Sequence, residues 1–306
     1  MATRSRSQTT RERYYFDGGL SETILGAACP IDFGFEKSLG IERSQVGPYY
    51  NIDPPAIVQS RGFFKAKIDR SGRAEYSQIA LIDGEYHHLL NVMRGKVGDS
   101  IILVDGRGSM AEGKVLALEK KRGIIEVISV KKQKPEPSFA LIQALPRINR
   151  LDFIVEKATE LGVGVIYLFP GDTSERKLLT PQQLERLQNI TIAAMKQCER
   201  LYLPKIIVLP AMLKWKNEEI LPQVPLFFGD LNPEAKPFLI ALQSHFNSSF
   251  EGAAFCTGPE SGFSTNEELL LKNMHAIGVN LHTNVLRTDT ASLAAMALMA
   301  QFSLKS

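Results

Sequence analysis

A chain of 306 residues is long enough to bury a sizeable core and to hold two domains. Its 44% apolar and 23% charged content is that of a globular protein, not a disordered or fibrous one. Net charge is only +3, no apolar run approaches the ~20 residues that span a bilayer, and the three cysteines stand at no zinc-ligand spacing, so a membrane protein, a disulfide framework and a structural metal are not expected.

The start, MATRSRSQTTRER, is basic and Ser-rich without a following apolar segment. A secretory signal is therefore not expected, and a cytoplasmic location is preferred over a transit peptide. Residues 1–61 carry Gly and Pro without sustained periodicity and read as an irregular extension, with one short strand at Arg13–Phe16. Between residues 62 and 133, short apolar runs alternate with Gly and Asp turns. Ser100–Asp105, Gly113–Leu118 and Gly123–Val130 read as strands, with hairpin corners at Asp105-Gly106 and Lys121-Arg122-Gly123. That texture predicts a small β-barrel or sandwich. Lys120, Lys121 and Arg122 form a basic corner that either is a solvated turn or follows phosphates.

Lys131–Pro137 reads as a charged, Pro-broken linker. Beyond it the pattern changes. Ser138–Leu145 is a buried-strand candidate, and Leu151, Ile154, Val155, Ala158 and Leu161 share one helical face ending at Gly162. Val163–Phe169 is the next strand. Thr180, Pro181 and Gln183 open a helix that runs to about Arg200, and Ser264 with Glu267 opens another as a capping box. Lys205–Leu209, Pro225–Phe228, Ala253–Cys256 and Ala276–Leu281 read as strands, and an Ala/Leu/Met-rich helix from about Thr290 closes the chain. Strands alternating with helices predict a mostly parallel α/β sheet.

Ligands bind such sheets beyond the carboxyl ends of the strands. Two loops are placed there. Thr257-Gly258-Pro259-Glu260-Ser261-Gly262 permits close backbone approach, although a plain strand-to-helix turn accounts for it as well. Leu281–Thr290 precedes the last helix, and Thr288–Thr290 suits N-capping. Arg287 sits among apolar neighbours and needs an anionic partner if buried. Dinucleotide, P-loop, nucleophile-elbow and zinc-protease motifs are all missing from the sequence.

Five segments, in order, resemble the ribosomal RNA small subunit methyltransferase E family: LDFIVEKATELGV at Leu151–Val163, S-E-R at Ser174–Arg176, IAAMKQCERLYLP at Ile192–Pro204, TGPESGFSTNE at Thr257–Glu267 and VLRTDTA at Val285–Ala291. The resemblance implies a trefoil-knotted SPOUT-class α/β domain over 138–306, preceded by a PUA-like RNA-binding β-barrel over 62–133. The barrel's first strand is either Arg13–Asp17 or Gly62–Asp69. It further implies a homodimer that uses S-adenosylmethionine to methylate N3 of a uridine in small-subunit ribosomal RNA, naked or within the assembled subunit.

By that resemblance the cofactor lies among Phe228, Gly229, Thr257, Gly258, Pro259, Glu260, Gly262, Leu281, His282, Val285 and Leu286. Arg287, Asp289 and Arg176 are the catalytic candidates, with Glu260 as a further candidate base. Lys120, Lys121, Arg122, Arg176 and Arg200 are the RNA-contact candidates, and no metal is implied. The chain departs from the family pattern at Lys196, Ser261, His282, Asn284 and Asp289. A side chain at His282, where the family carries Gly, is expected to narrow the adenine pocket. These departures keep two other readings open: an rRNA-binding or assembly protein with weak or no catalysis, and a SPOUT methyltransferase acting on another RNA.

Overall fold

A computed structural model describes residues 78–135, 139–215, 221, 223–246 and 252–304, together with strand segments at 13–15, 67–68 and 74–75. The remainder of the 1–61 extension, the Glu136–Ser138 end of the linker and most of the Gly62–Asp69 candidate strand lie outside the described residues. The chain divides into two compact units. Among described residues, the first holds 13–15, 67–68, 74–75, 78–134 and 195–202, and the second holds the rest.

The first unit is built on a five-stranded sheet in the order β1-β5-β6-β7-β4, where β1 is Arg13–Tyr15, β4 Gln78–Ile82, β5 Ser100–Val104, β6 Ser109–Leu118 and β7 Arg122–Lys132. Both hairpins form where the Asp-Gly and Arg-Gly corners predict them. The β6–β7 ribbon outruns the expectation at its far end. Lys131 and Lys132 pair with Met110 and Ser109, so the charged linker gives up its first two residues to the sheet. Of the two candidate first strands, the one at Arg13 joins this sheet, parallel to β5. Lys67–Ile68 (β2) instead pairs with Ala74–Glu75 (β3) in a separate ribbon.

Alternate residues of β5, β6 and β7 face inward, and Leu103, Ala111, Val115, Ile125 and Val127 form the core with Tyr86 and Leu89. Those last two come from a short helix α1 (Asp83–His87) that runs on into a π-turn at His88–Val92. Strand periodicity gave no sign of either. Tyr86 anchors the helix by donating its hydroxyl to the Glu119 carbonyl.

The second unit is a seven-stranded, wholly parallel sheet in the order β10-β9-β8-β13-β11-β14-β12. Its strands are β8 (Phe139–Ala144), β9 (Val165–Phe169), β10 (Lys205–Val208), β11 (Leu226–Gly229), β12 (Lys236–Pro237), β13 (Ala253–Thr257) and β14 (Ile277–Asn280). Central strands β8, β9 and β13 are buried at every position, the mark of a parallel sheet covered on both faces. The two faces follow from alternation. Phe139, Leu141, Ile166, Leu168, Phe227 and Phe255 pack toward helices α2 (Ile148–Glu160), α4 (Phe238–His245) and α6 (Thr288–Ser303). Ala140, Ile142, Tyr167, Phe169, Phe228 and Cys256 pack against Met212, Trp215, and Leu271 of α5 (Thr265–Asn273).

Helix α2 buries Leu151, Ile154, Val155 and Ala158, the predicted stripe, and Gly162 at φ +100° turns the chain out of it. Helix α3 (Pro181–Gln197) opens on the predicted box: Thr180 Oγ1 accepts from the Gln183 amide, and Gln183 Oε1 accepts from the Thr180 amide. Helix α4 escaped prediction because Phe238–His245 is apolar nearly all round and shows no amphipathic period. Among the described residues no helix is long and apolar enough to cross a membrane.

Candidate functional site

Because all strands run the same way, their carboxyl ends lie on one edge of the sheet. Phe228 stands beside Cys256 on β13, Gly229 beside Val279 on β14, and Thr257 beside Gln143 on β8. The loops at Gly229, Thr257–Gly262 and Leu281–Arg287 therefore leave from adjacent strands, which is what a shared ligand site needs.

The loop after β13 is tightly built. A side chain at Gly258 would be tight, since a Cβ there would stand 3.2 Å from the Phe263 amide nitrogen and 3.3 Å from the Gly262 carbonyl carbon, and the backbone would have to shift by a few tenths of an ångström. Gly262 is required for a different reason, its φ of +78°. Gly258 and Pro259 are buried, whereas Glu260 and Ser261 are exposed. Glu260 Oε1 accepts from the Arg147 amide at 3.3 Å and lies 3.8 Å from the Arg150 guanidinium. Buried Thr257 leaves its Oγ1 with no hydrogen-bond partner among the described residues.

A third loop, 170–177 after β9, is stitched to this one. The Asp172 amide donates to Glu267 Oε1 (2.9 Å), Ser264 Oγ donates to Asp172 Oδ2 (2.8 Å), and Thr173 Oγ1 donates to the Gly262 carbonyl (2.7 Å). Glu267, fully buried, is also the predicted capping-box partner of Ser264. This loop carries Ser174–Arg176. Arg147 and Glu175 pair at 2.8 Å, and the guanidinium holds the Glu175 carboxyl below its ordinary range. The Arg176 head reaches Gln183 Oε1 at 3.5 Å, while its Nε and the Ser174 hydroxyl are buried without a partner among the described residues.

At the end of the Leu281–Arg287 loop the Arg287 side chain is 72% exposed, with Asp289 3.9 Å away, so burial demands no anionic partner of it. The capping expectation is corrected: Thr288–Thr290 do not cap the helix. Helix α6 begins at Thr288, its N-cap is Arg287, and that residue makes no side-chain capping bond. Thr288 is buried and donates its hydroxyl to the Gly258 carbonyl at 2.7 Å, so it joins the two loops. Asp289 Oδ1 accepts from the Thr290 amide at 2.9 Å.

His282 is exposed, and its Nδ1 accepts from the Asn284 amide at 2.9 Å while Asn280 Oδ1 accepts from the His282 amide at 2.8 Å. The ring is thereby tied to its own turn. Val285 is 77% exposed and Leu281 and Leu286 are half-buried, so part of the predicted wall is open to solvent.

Gln143 and Ser292 are the participants that sequence reasoning missed. Gln143 is fully buried within the apolar run of β8, donating Nε2 to Thr288 Oγ1 at 3.1 Å and accepting from Ser292 Oγ at 2.5 Å. A polar residue inside an apolar strand must find such partners, and that was the available signal.

Within the first unit, the RNA-contact candidates lie at two ends of one ribbon. Lys120, Lys121 and Arg122 are exposed at the β6–β7 corner, where Arg122 pairs with Glu119 at 2.6 Å, which raises its pKa. Arg200 belongs to the segment held at the opposite end of the β6–β7 ribbon. There the Gly108 amide donates to the Leu201 carbonyl, and Tyr202 donates to the Gln133 carbonyl. Ten residues of β6 separate the two ends, about 30 Å. Arg176 lies in the other unit. Lys196, one of the departures, pairs with Glu85 of α1 at 2.8 Å.

Comparison with known proteins gives this arrangement a family. The RNA methyltransferase domain model matches residues 133–300, and the RNA methyltransferase PUA domain model matches residues 81–128. A ribosomal RNA small subunit methyltransferase E from Synechocystis is 30% identical over 236 residues, spanning 72% of this chain and 71% of that protein. Its namesake in Rickettsia conorii is 30% identical over 235 residues, 73% of this chain and 90% of that one. A crystal structure of the Neisseria gonorrhoeae enzyme of the same name, bound to S-adenosyl methionine, superposes with a TM-score of 0.63 at 28% identity, covering 76% of this chain and 94% of its own. With a family model over more than half of the sequence and relatives of this identity along most of their length, the chain belongs to the ribosomal RNA small subunit methyltransferase E family.

Proposed function

We infer that this chain is an S-adenosylmethionine-dependent methyltransferase whose target is N3 of a uridine in small-subunit ribosomal RNA. The observation that carries the reading is the convergence of the Gly229, Thr257–Gly262 and Leu281–Arg287 loops from adjacent parallel strands, in a family whose Neisseria member holds S-adenosyl methionine. The residues present suit that cofactor. A buried, unpartnered Thr257 hydroxyl at the end of β13 offers a polar contact, and half-buried Leu281 offers apolar surface. The cofactor supplies a methyl group on a sulfonium, open to in-line attack.

The protein's part is positioning and electrostatics. Uracil N3 must lose its proton at or before attack, leaving negative charge on O2 and O4. Arg287, whose side chain is exposed, is the candidate to meet that charge as an oxyanion donor does, with Arg176 as the second cation. Asp289 is the candidate base, close to Arg287. The target base enters unpaired or flipped from its stack. The same reading divides the chain into the 1–61 extension, which supplies the strand at Arg13–Tyr15, a PUA-like RNA-binding domain over 62–133 and a knotted methyltransferase domain over 138–306. It includes a cytoplasmic homodimer, with Lys120–Arg122, Arg176 and Arg200 contacting RNA.

Mass-spectrometric mapping of small-subunit RNA from cells lacking the gene tests it. The expected result is loss of one 3-methyluridine. An unchanged modification map, with calorimetry showing no uptake of S-adenosylmethionine, points instead to an rRNA-binding or assembly role.

A further inference from the structure

Gln143, Thr288, Ser292 and the Gly258 carbonyl form a single hydrogen-bonded chain within the second unit, and all three side chains are buried. Its direction follows from counting protons. Thr288 has one hydroxyl proton, which goes to the Gly258 carbonyl at 2.7 Å, and its lone pair accepts from Gln143 Nε2 at 3.1 Å. Gln143 cannot be turned over, because Nε2 also donates to the Ala144 carbonyl at 2.9 Å and an oxygen there would face another acceptor. Ser292 has one proton within reach of Gln143 Oε1 at 2.5 Å and of the Thr288 carbonyl at 2.9 Å, and the shorter contact takes it. Polarity therefore runs one way, from Ser292 through Gln143 and Thr288 to Gly258.

The end point is the peptide between Gly258 and Pro259. Pro259 has no N–H, so the Gly258 carbonyl is the only hydrogen-bonding group that peptide offers. Fixing it fixes how the Thr257–Gly262 loop presents itself. Thr288 directly follows Arg287, so one hydroxyl sets the position of that loop relative to the loop carrying Arg287. We propose that Thr288 is a positioning residue for the cofactor: by holding the Gly258 carbonyl from within, it sets the affinity of the site for S-adenosylmethionine. This rests on the function inferred above.

The test is isothermal titration of the full chain with S-adenosylmethionine and with S-adenosylhomocysteine. Thr288→Val keeps the shape and removes both donor and acceptor, whereas Thr288→Ser keeps the hydroxyl. The valine variant is expected to weaken both ligands about tenfold, as the loss of one buried hydrogen bond with its loop would. The serine variant should stay within about twofold of the wild type, and RNA affinity should be unchanged in both, which general unfolding would not allow. Ser292→Ala, which cuts the far end of the chain, should weaken cofactor binding to an intermediate degree and serves if the valine variant does not fold. Wild-type affinity in Thr288→Val or in a folded Ser292→Ala overturns the proposal. A wild-type protein that binds neither ligand overturns the inferred function itself.

Discussion

Glu267→Ala removes a carboxylate that no solvent reaches and that holds two backbone amides, one on each of its oxygens. The Ser264 amide at 2.8 Å is the capping-box bond, and the Asp172 amide at 2.9 Å belongs to the loop that carries Arg176. A hydrogen bond to a charged group contributes about 1.5–3 kcal/mol, so the pair together amounts to ~4 kcal/mol, before the favourable placement of a negative charge at a helix N-terminus is counted. In a unit of this size a loss of ~4 kcal/mol lowers the midpoint of thermal unfolding by roughly 8–16 °C. Glu267→Gln is the sharper comparison. Glutamine has one acceptor oxygen and would set its NH2 against the other amide, so it should lose at least half of that stability. Ser264→Ala, which removes the cap's side-chain half together with the exposed bond from Ser264 Oγ to Asp172 Oδ2, should cost only about 1–2 kcal/mol. Thermal melts of the three variants followed by circular dichroism decide the matter. If Glu267→Ala melts within about 2 °C of Ser264→Ala, the double role is wrong.

Arg287→Ala should lower kcat about a hundredfold or more while cofactor binding and the thermal midpoint stay unchanged, because the side chain is largely exposed. Full activity in that variant would remove Arg287 from the mechanism. Tyr167→Phe deletes a hydroxyl that is fully buried with no partner among the described residues, and whose ionisation burial pushes upward. It should leave stability equal or raise it by ~1 kcal/mol, and a clear loss in denaturant titration would reveal a bonded hydroxyl. Cys256 is fully buried and its thiol is pushed well up, by desolvation first and by Glu267 second. It therefore remains a protonated thiol at pH 8.5. Alkylation followed by peptide mapping should label Cys256 only after unfolding, and rapid native labelling would contradict the burial.

The sequence made the sheet legible because burial on both faces leaves continuous apolar runs, and β8, β9 and β13 are such runs. Helix starts were legible where side chains do the capping, as at Thr180 and Ser264. The same local chemistry misled at Thr288, whose hydroxyl turned out to bond a carbonyl thirty residues away in sequence instead of its own helix. Glu267 shows the limit from the other side: its cap was readable, but its bond to the Asp172 amide depends on where another loop lies. Whether Arg287 is buried was not legible, because apolar sequence neighbours do not determine what surrounds a loop tip. Nor was the distance between Lys120–Arg122 and Arg200, which the length of the β6–β7 ribbon sets.

The central position of β8 bears on how the chain is made. One edge of this strand meets β9 soon after it leaves the ribosome, but the other waits for β13, more than 100 residues later in the sequence. At ordinary elongation rates that wait is roughly 5–20 s, during which a strand with no exposed residue in the finished fold has an open edge and faces only partly covered. The nascent second unit should then be a client for chaperones that shield apolar segments, and slowing translation before β13 should increase aggregation. The latch from Ser292 to Gly258 can close only when the last helix has emerged, so the cofactor site is the final part of the molecule to be finished.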